Sequence, residues 1–137
     1  MKVAEIFERK GEPYFRNLEK QMLREVLRHD GQVLATGGGA VMDRRNLVLL
    51  KRRSLLICLM ASAEALLSRS GVGKGRPLLG DATYREGRIK ELLRQREESY
   101  AQAHVRIDTD DLTVDEVVQK ILGVIKGLSN EDSGQTA

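Results

Sequence analysis

Three consecutive glycines in Thr36-Gly37-Gly38-Gly39-Ala40-Val41 place backbone without side chains directly after the apolar run Gln32-Val33-Leu34-Ala35. Amide donors bared in this way can come close to an anion or a sugar-like hydroxyl. A tight strand-to-helix turn with a positive φ at one position explains the triplet equally well, and the residues alone leave both readings open. Arg16 precedes Glu19 by three residues. At that helical spacing the carboxylate can steer the guanidinium fork toward a carboxylate ligand, although an ordinary exposed ion pair has the same pattern. Gly71-Val72-Gly73-Lys74-Gly75-Arg76-Pro77 is a cationic, glycine-hinged stretch. It is not a G-x-x-x-x-G-K-[ST] phosphate loop, because Ser68 stands where glycine is needed and Gly75 where a hydroxyl is needed. A lid that carries Arg76 onto a polyphosphate fits it, and so does a solvated surface loop. Arg94 and Arg96 lie in Arg94-Gln95-Arg96-Glu97-Glu98, a charged run that by itself serves to solvate a helix face.

Metal and thiol chemistry find no support in the sequence. His29 and His104 have no partner at metal-ligand spacing, and the lone Cys58 sits inside Leu55-Leu56-Ile57-Cys58-Leu59 as a small buried hydrophobe.

Alternating strands and helices must position these groups. Glu5 to Glu8 opens a helical segment that Gly11-Glu12-Pro13 interrupts. A second helix starts near Tyr14, with Phe15, Leu18, Met22 and Val26 on one face, and ends at Gly31. Gln32 to Ala35 and Ser54 to Leu59 read as buried strands, with a helix capped by Asp43 and running through Leu50 between them. Ser62 caps a helix to about Ser70, Thr83 with Glu86 opens a long charged helix to about Gln102, and Val105 to Asp108 is a third strand. Thr113 with Glu116 starts the last helix, and residues 129–137 read as a disordered tail. The pattern predicts an α/β fold with a parallel sheet whose ligands gather at the carboxyl ends of the strands.

At 137 residues and 41% apolar content the chain builds one core of ordinary size, which predicts a single domain over 1–128. With 23 basic and 20 acidic residues the net charge of +3 gives no case for a nucleic-acid surface. No run approaches 18 apolar residues and no signal-peptide core opens the chain, so a cytoplasmic location without membrane partners is expected.

Taken in order, Ala4-Glu5-Ile6-Phe7, Gly11 to Glu19, Ala35 to Val41, Arg76-Pro77-Leu78-Leu79 and Arg96 through Tyr100 resemble the shikimate kinase family. The resemblance spans Val3 to Leu128 and implies a three-layer α/β/α fold of the P-loop kinase kind, with strand order 2-3-1-4-5. It implies transfer of the ATP γ-phosphoryl group to the 3-hydroxyl of shikimate, with ATP and magnesium as cofactors, in aromatic amino-acid (chorismate) biosynthesis. By resemblance Arg16 and Arg96 clamp the shikimate carboxylate, Glu19 orients Arg16, and the amides of Gly38 and Gly39 bind the ring. Arg76 is then the catalytic lid arginine, in a lid of about 71–82, and Arg69 lies against the adenine. Asp110-Asp111-Leu112 departs from the basic residue often found at the other adenine-side position.

The family's opening strand, its phosphate loop and the aspartates that serve magnesium have no counterpart in these residues, so no metal ligand is assigned. A start at an internal methionine is the expectation that follows, with the central strand missing. The 137 residues alone are then expected to be inactive, and to self-associate where the family suggests a monomer. A non-catalytic, shikimate-binding relic and a related small-molecule kinase such as a gluconate kinase are the alternatives, and Gly-Glu-x-x-Phe-Arg argues against the latter.

Overall fold

The computed structural model describes residues 1–69 and 82–134, with side chains described up to Ser129 and from Thr83. Contacts group the chain into two compact units, Met1–Leu56 with Arg96–His104 and Ile57–Gln95 with Val105–Ala137.

In the first unit α1 (Val3–Lys10) and α2 (Glu12–Val26) meet at Gly11, whose φ of +82° is a left-handed value that glycine adopts without strain. Pro13 falls in the first turn of α2, where its missing N–H is no loss, so the helix opens at Glu12, ahead of the expected Tyr14. The rings of Phe7 and Phe15, tilted to one another with centroids 4.7 Å apart, hold the two helices together. The second helix ends at Val26, five residues short of Gly31, as Gln32 Nε2 donates to the carbonyls of Val26 and His29 and closes the chain into a turn. A 3₁₀ turn at Ala40–Met42 leads into α3 (Arg44–Arg53), which Asp43 caps by accepting from the Arg45 amide at 2.8 Å. Leu23, Val41, Leu47 and Leu50 form the core, with Leu27, Leu56 and Tyr100 packed against it. Asn46, buried beside them, donates to the Ala40 carbonyl at 3.0 Å and fixes the end of the glycine segment to α3.

The expected strand at Gln32–Ala35 does not form: the segment is irregular and Val33 is fully exposed. A strand is defined by a ladder, and among the described residues none lies beside this one, however apolar its sequence.

The second unit holds two strands in parallel, β1 (Ile57–Met60) and β2 (Val105–Asp108), in the register Ile57↔Val105 to Met60↔Asp108. Ser62 caps α4 (Ala63–Arg69) by accepting from the Ala65 amide at 3.1 Å. The long helix α5 runs Ala82–Tyr100, its residues from Arg96 belonging to the first unit. The capping box before α6 (Val114–Gly134) closes in both directions, Thr113 N to Glu116 Oε1 at 3.1 Å and Glu116 N to Thr113 Oγ1 at 3.2 Å. The tail expected from Ser129 is corrected here, since α6 continues through Gly134. Once a helix is nucleated each further residue adds a hydrogen bond, and Ser129-Asn130-Glu131-Asp132 contains no proline to stop it. Arg76 and the expected lid of about 71–82, save its last residue, lie outside the described residues.

Candidate functional site

Two glycines of the triplet, Gly38 and Gly39, owe their place to close approach. Positive φ occurs among the described residues only at Gly11 and Gly31, so the reading of the triplet as a left-handed turn fails. Gly39 is right-handed, φ −77° and ψ −16°, and by backbone conformation any residue fits there. What excludes a side chain is an arginine: a Cβ on Gly39 would stand 2.6 Å from Arg16 Nη2 and 2.8 Å from Nη1. On the adjacent Gly38 a Cβ would stand 2.6 Å from the Tyr100 hydroxyl and 2.7 Å from Arg96 Nη1. Two guanidinium groups, from α2 and from the last turn of α5, therefore come to rest on neighbouring glycines within one compact unit.

Each arginine is held differently. Arg16 Nη1 donates to Glu19 Oε1 at 2.9 Å and Nε approaches Glu12 Oε1 at 3.5 Å. The Glu19 hydrogen bond leads the causes that raise the Arg16 pKa further, so its charge is constant across the working pH range. Arg96 has no ion pair among the described residues, and its Nη1 donates instead to the Tyr100 hydroxyl at 3.2 Å. That hydroxyl in turn lies 3.4 Å from the Gly38 carbonyl, to which it donates. Tyr100 was not assigned from sequence, although its place four residues after Arg96, one helical turn along, was a usable signal. Arg94 is turned elsewhere, with both its ends on the exposed Glu91.

The arrangement presents two planar cationic forks and open glycine backbone to one place, which suits a planar anion such as a carboxylate. Beside it, a shallow cavity of about 220 Å³ is lined by Glu19, Met22, Leu23, Val26, Leu34 and Thr36 among others, and takes in Gly37 and Ala40.

Arg69 is placed in the second unit and is committed there. Its Nη1 donates to Thr109 Oγ1 at 2.9 Å and its Nη2 to the Thr109 carbonyl at 2.7 Å. Asp110, on the loop after β2, accepts from the Ser62 amide at 2.7 Å, and the Ser62 hydroxyl first, then this amide, hold its carboxyl below the usual range. The residue type that departs from the resemblance thus has a structural task at the start of α4.

Comparison with known proteins gives a consistent answer. The sequence profile described as "Shikimate kinase" matches residues 1–126. The shikimate kinase of Thermoanaerobacter pseudethanolicus is 41% identical over 122 residues, covering 89% of this chain and 71% of that relative. Among solved structures, a shikimate kinase from Acinetobacter baumannii in complex with shikimate superposes with TM-score 0.78 at 37% identity, covering 93% of this chain and 70% of that one. The shikimate kinase of Bacteroides thetaiotaomicron gives TM-score 0.80 at 28% identity, with 93% and 74% covered.

Proposed function

Because the chain belongs to the shikimate kinase family, we propose that Arg16 and Arg96 clamp the carboxylate of shikimate over Gly38 and Gly39. Glu19 orients the Arg16 fork, and the glycine amides meet the ring side of the substrate. The observation that carries this reading is the closure of both guanidinium groups on two adjacent glycines. The reaction is the family's phosphotransfer: the shikimate 3-hydroxyl oxygen attacks the γ-phosphorus of ATP, the bond to the ADP oxygen breaks, and the hydroxyl proton is released. In this step Arg16 and Arg96 fix the acceptor in one orientation, which is the larger part of what a protein contributes to phosphoryl transfer besides charge neutralisation.

On the nucleotide side, Arg69 lies against the adenine with its plane set by Thr109, and Arg76 arrives with a lid of about 71–82 to stabilise charge on the transferred group. Residues 1–128 act as one kinase domain in the cytoplasm. The family uses ATP with Mg²⁺, yet among the described residues no three His, Cys, Asp or Glu side chains gather to hold a metal ion. No step is assigned to the ion. No helix among the described residues is long and apolar enough to cross a membrane.

A second reading, shikimate binding without turnover, is favoured for the 137 residues on their own by their lack of G-x-x-x-x-G-K-[ST]. Calorimetric titration of shikimate into the chain and into Arg16→Ala tests the pocket. Binding weakened about 10- to 100-fold by loss of a charged, forked hydrogen-bond donor supports it. Equal affinity for the two proteins overturns it.

A further inference from the structure

The electrostatics of the two arginines are unequal. Arg16 lies between Glu19 at 2.9 Å and Glu12 at 3.5 Å, so that cluster carries one more negative than positive charge. An anion entering the glycine turn gains little net attraction from it. Arg96 has no carboxylate within ion-pair distance among the described residues, and its hydrogen-bond partner is the Tyr100 hydroxyl. A free arginine side chain samples many rotamers, and a binding site that must order it on ligand arrival loses affinity to that entropy. A carboxylate partner would order it and cancel its charge. A phenol orders it and leaves the charge whole.

We propose that Tyr100 is the positioning residue of the carboxylate subsite, its hydroxyl bridging Arg96 Nη1 and the Gly38 carbonyl so that the guanidinium is held on the glycine turn with its charge uncompensated. The role rests on the shikimate reading above and assigns within it a division of labour: Arg16 with its carboxylates supplies rigid geometry, and Arg96 with Tyr100 supplies net charge. Three features support it. The Tyr100 ring packs against the Leu23, Val41, Leu47 and Leu50 core, which anchors the hydroxyl at a fixed point. Gly38 excludes a Cβ that would lie 2.6 Å from that hydroxyl and 2.7 Å from Arg96 Nη1, so the three groups meet closely. Arg96 and Tyr100 stand four residues apart on α5, a spacing at which one side chain braces the other within the helix.

The test is calorimetric titration of the 137-residue chain and its Tyr100→Phe variant with shikimate and, separately, with shikimate methyl ester, which lacks the charged carboxylate. Tyr100→Phe keeps the ring in the core and removes only the hydroxyl. The expected result is about tenfold weaker binding of shikimate by Tyr100→Phe, with the ratio of the two proteins near one for the ester. Equal loss for acid and ester overturns the proposal, because it marks a merely structural effect. Unchanged binding of shikimate by the variant also overturns it and leaves the Arg16 and Arg96 pocket standing. No binding of shikimate by the unaltered chain removes both. If Tyr100→Phe does not fold, ¹³Cζ-tyrosine spectra of the unaltered chain decide, since it has three tyrosines to resolve. The Tyr100 resonance shifts with shikimate and stays in place with the ester if the proposal holds; no shift with shikimate refutes it.

Discussion

Gly39→Ala separates binding from folding. Gly39 has φ −77° and ψ −16°, so alanine adopts its backbone without strain, and the loss of unfolded-state freedom stabilises by about 0.4–1 kcal/mol. Against that, the new methyl group meets Arg16 Nη2 at 2.6 Å, and ordinary contact begins near 3.4 Å, so the guanidinium must retreat by about 0.8 Å. The end of an arginine side chain yields easily. Loss of its half-exposed pair with Glu19 costs about 0.2–1 kcal/mol, so the melting temperature should change little. Binding responds otherwise. A guanidinium donor moved from about 2.8 Å to about 3.6 Å of a carboxylate oxygen no longer makes a hydrogen bond, and a charged hydrogen bond contributes about 1.5–3 kcal/mol. The shikimate dissociation constant should therefore rise about 10- to 100-fold. Thermal melts together with calorimetry of the variant check both halves. An unchanged dissociation constant with an unchanged melt would refute the placing of the ligand carboxylate over Gly39. A melt lowered by many degrees would show instead that the glycine is a requirement of folding.

Two further outcomes are expected. The 137 residues on their own should show negligible shikimate-dependent release of ADP from ATP, since they contain no G-x-x-x-x-G-K-[ST] cradle, and turnover of ordinary magnitude in a coupled assay contradicts this. Asp43→Ala should destabilise the chain by about 1 kcal/mol through loss of the α3 cap. The Arg45 amide, first among the causes, lowers the Asp43 pKa in the folded state; the cap's contribution is therefore full above the ordinary carboxylate range and lost as pH falls through the depressed value. Urea melts should show the difference between the two proteins at pH 7 and its disappearance in strong acid.

Much of the site and its scaffold was legible because the signals are local. Gly11 between two helical stretches, Asp43 and Ser62 as caps, and the Thr113 and Glu116 box all act within a few residues, and each is found where spacing put it. The Arg16 and Glu19 pair is likewise a property of one helix. Val33 shows the opposite case. Its apolar neighbourhood carries strand character, but a strand exists only beside another, and none of the described residues provides the ladder.

The sequence by itself determined where α3, α4 and α6 begin, which charges share a face, and, through the order of its motifs, the family to which the chain belongs. Only the tertiary structure decided that Gly38 and Gly39 admit two arginines rather than turn the chain, and that Tyr100 stands between one of them and the backbone. The reason is range. Caps and ion pairs one turn apart are set by backbone geometry over a few residues, whereas the meeting of Arg16, Gly38, Gly39, Arg96 and Tyr100 depends on core packing that brings distant segments together.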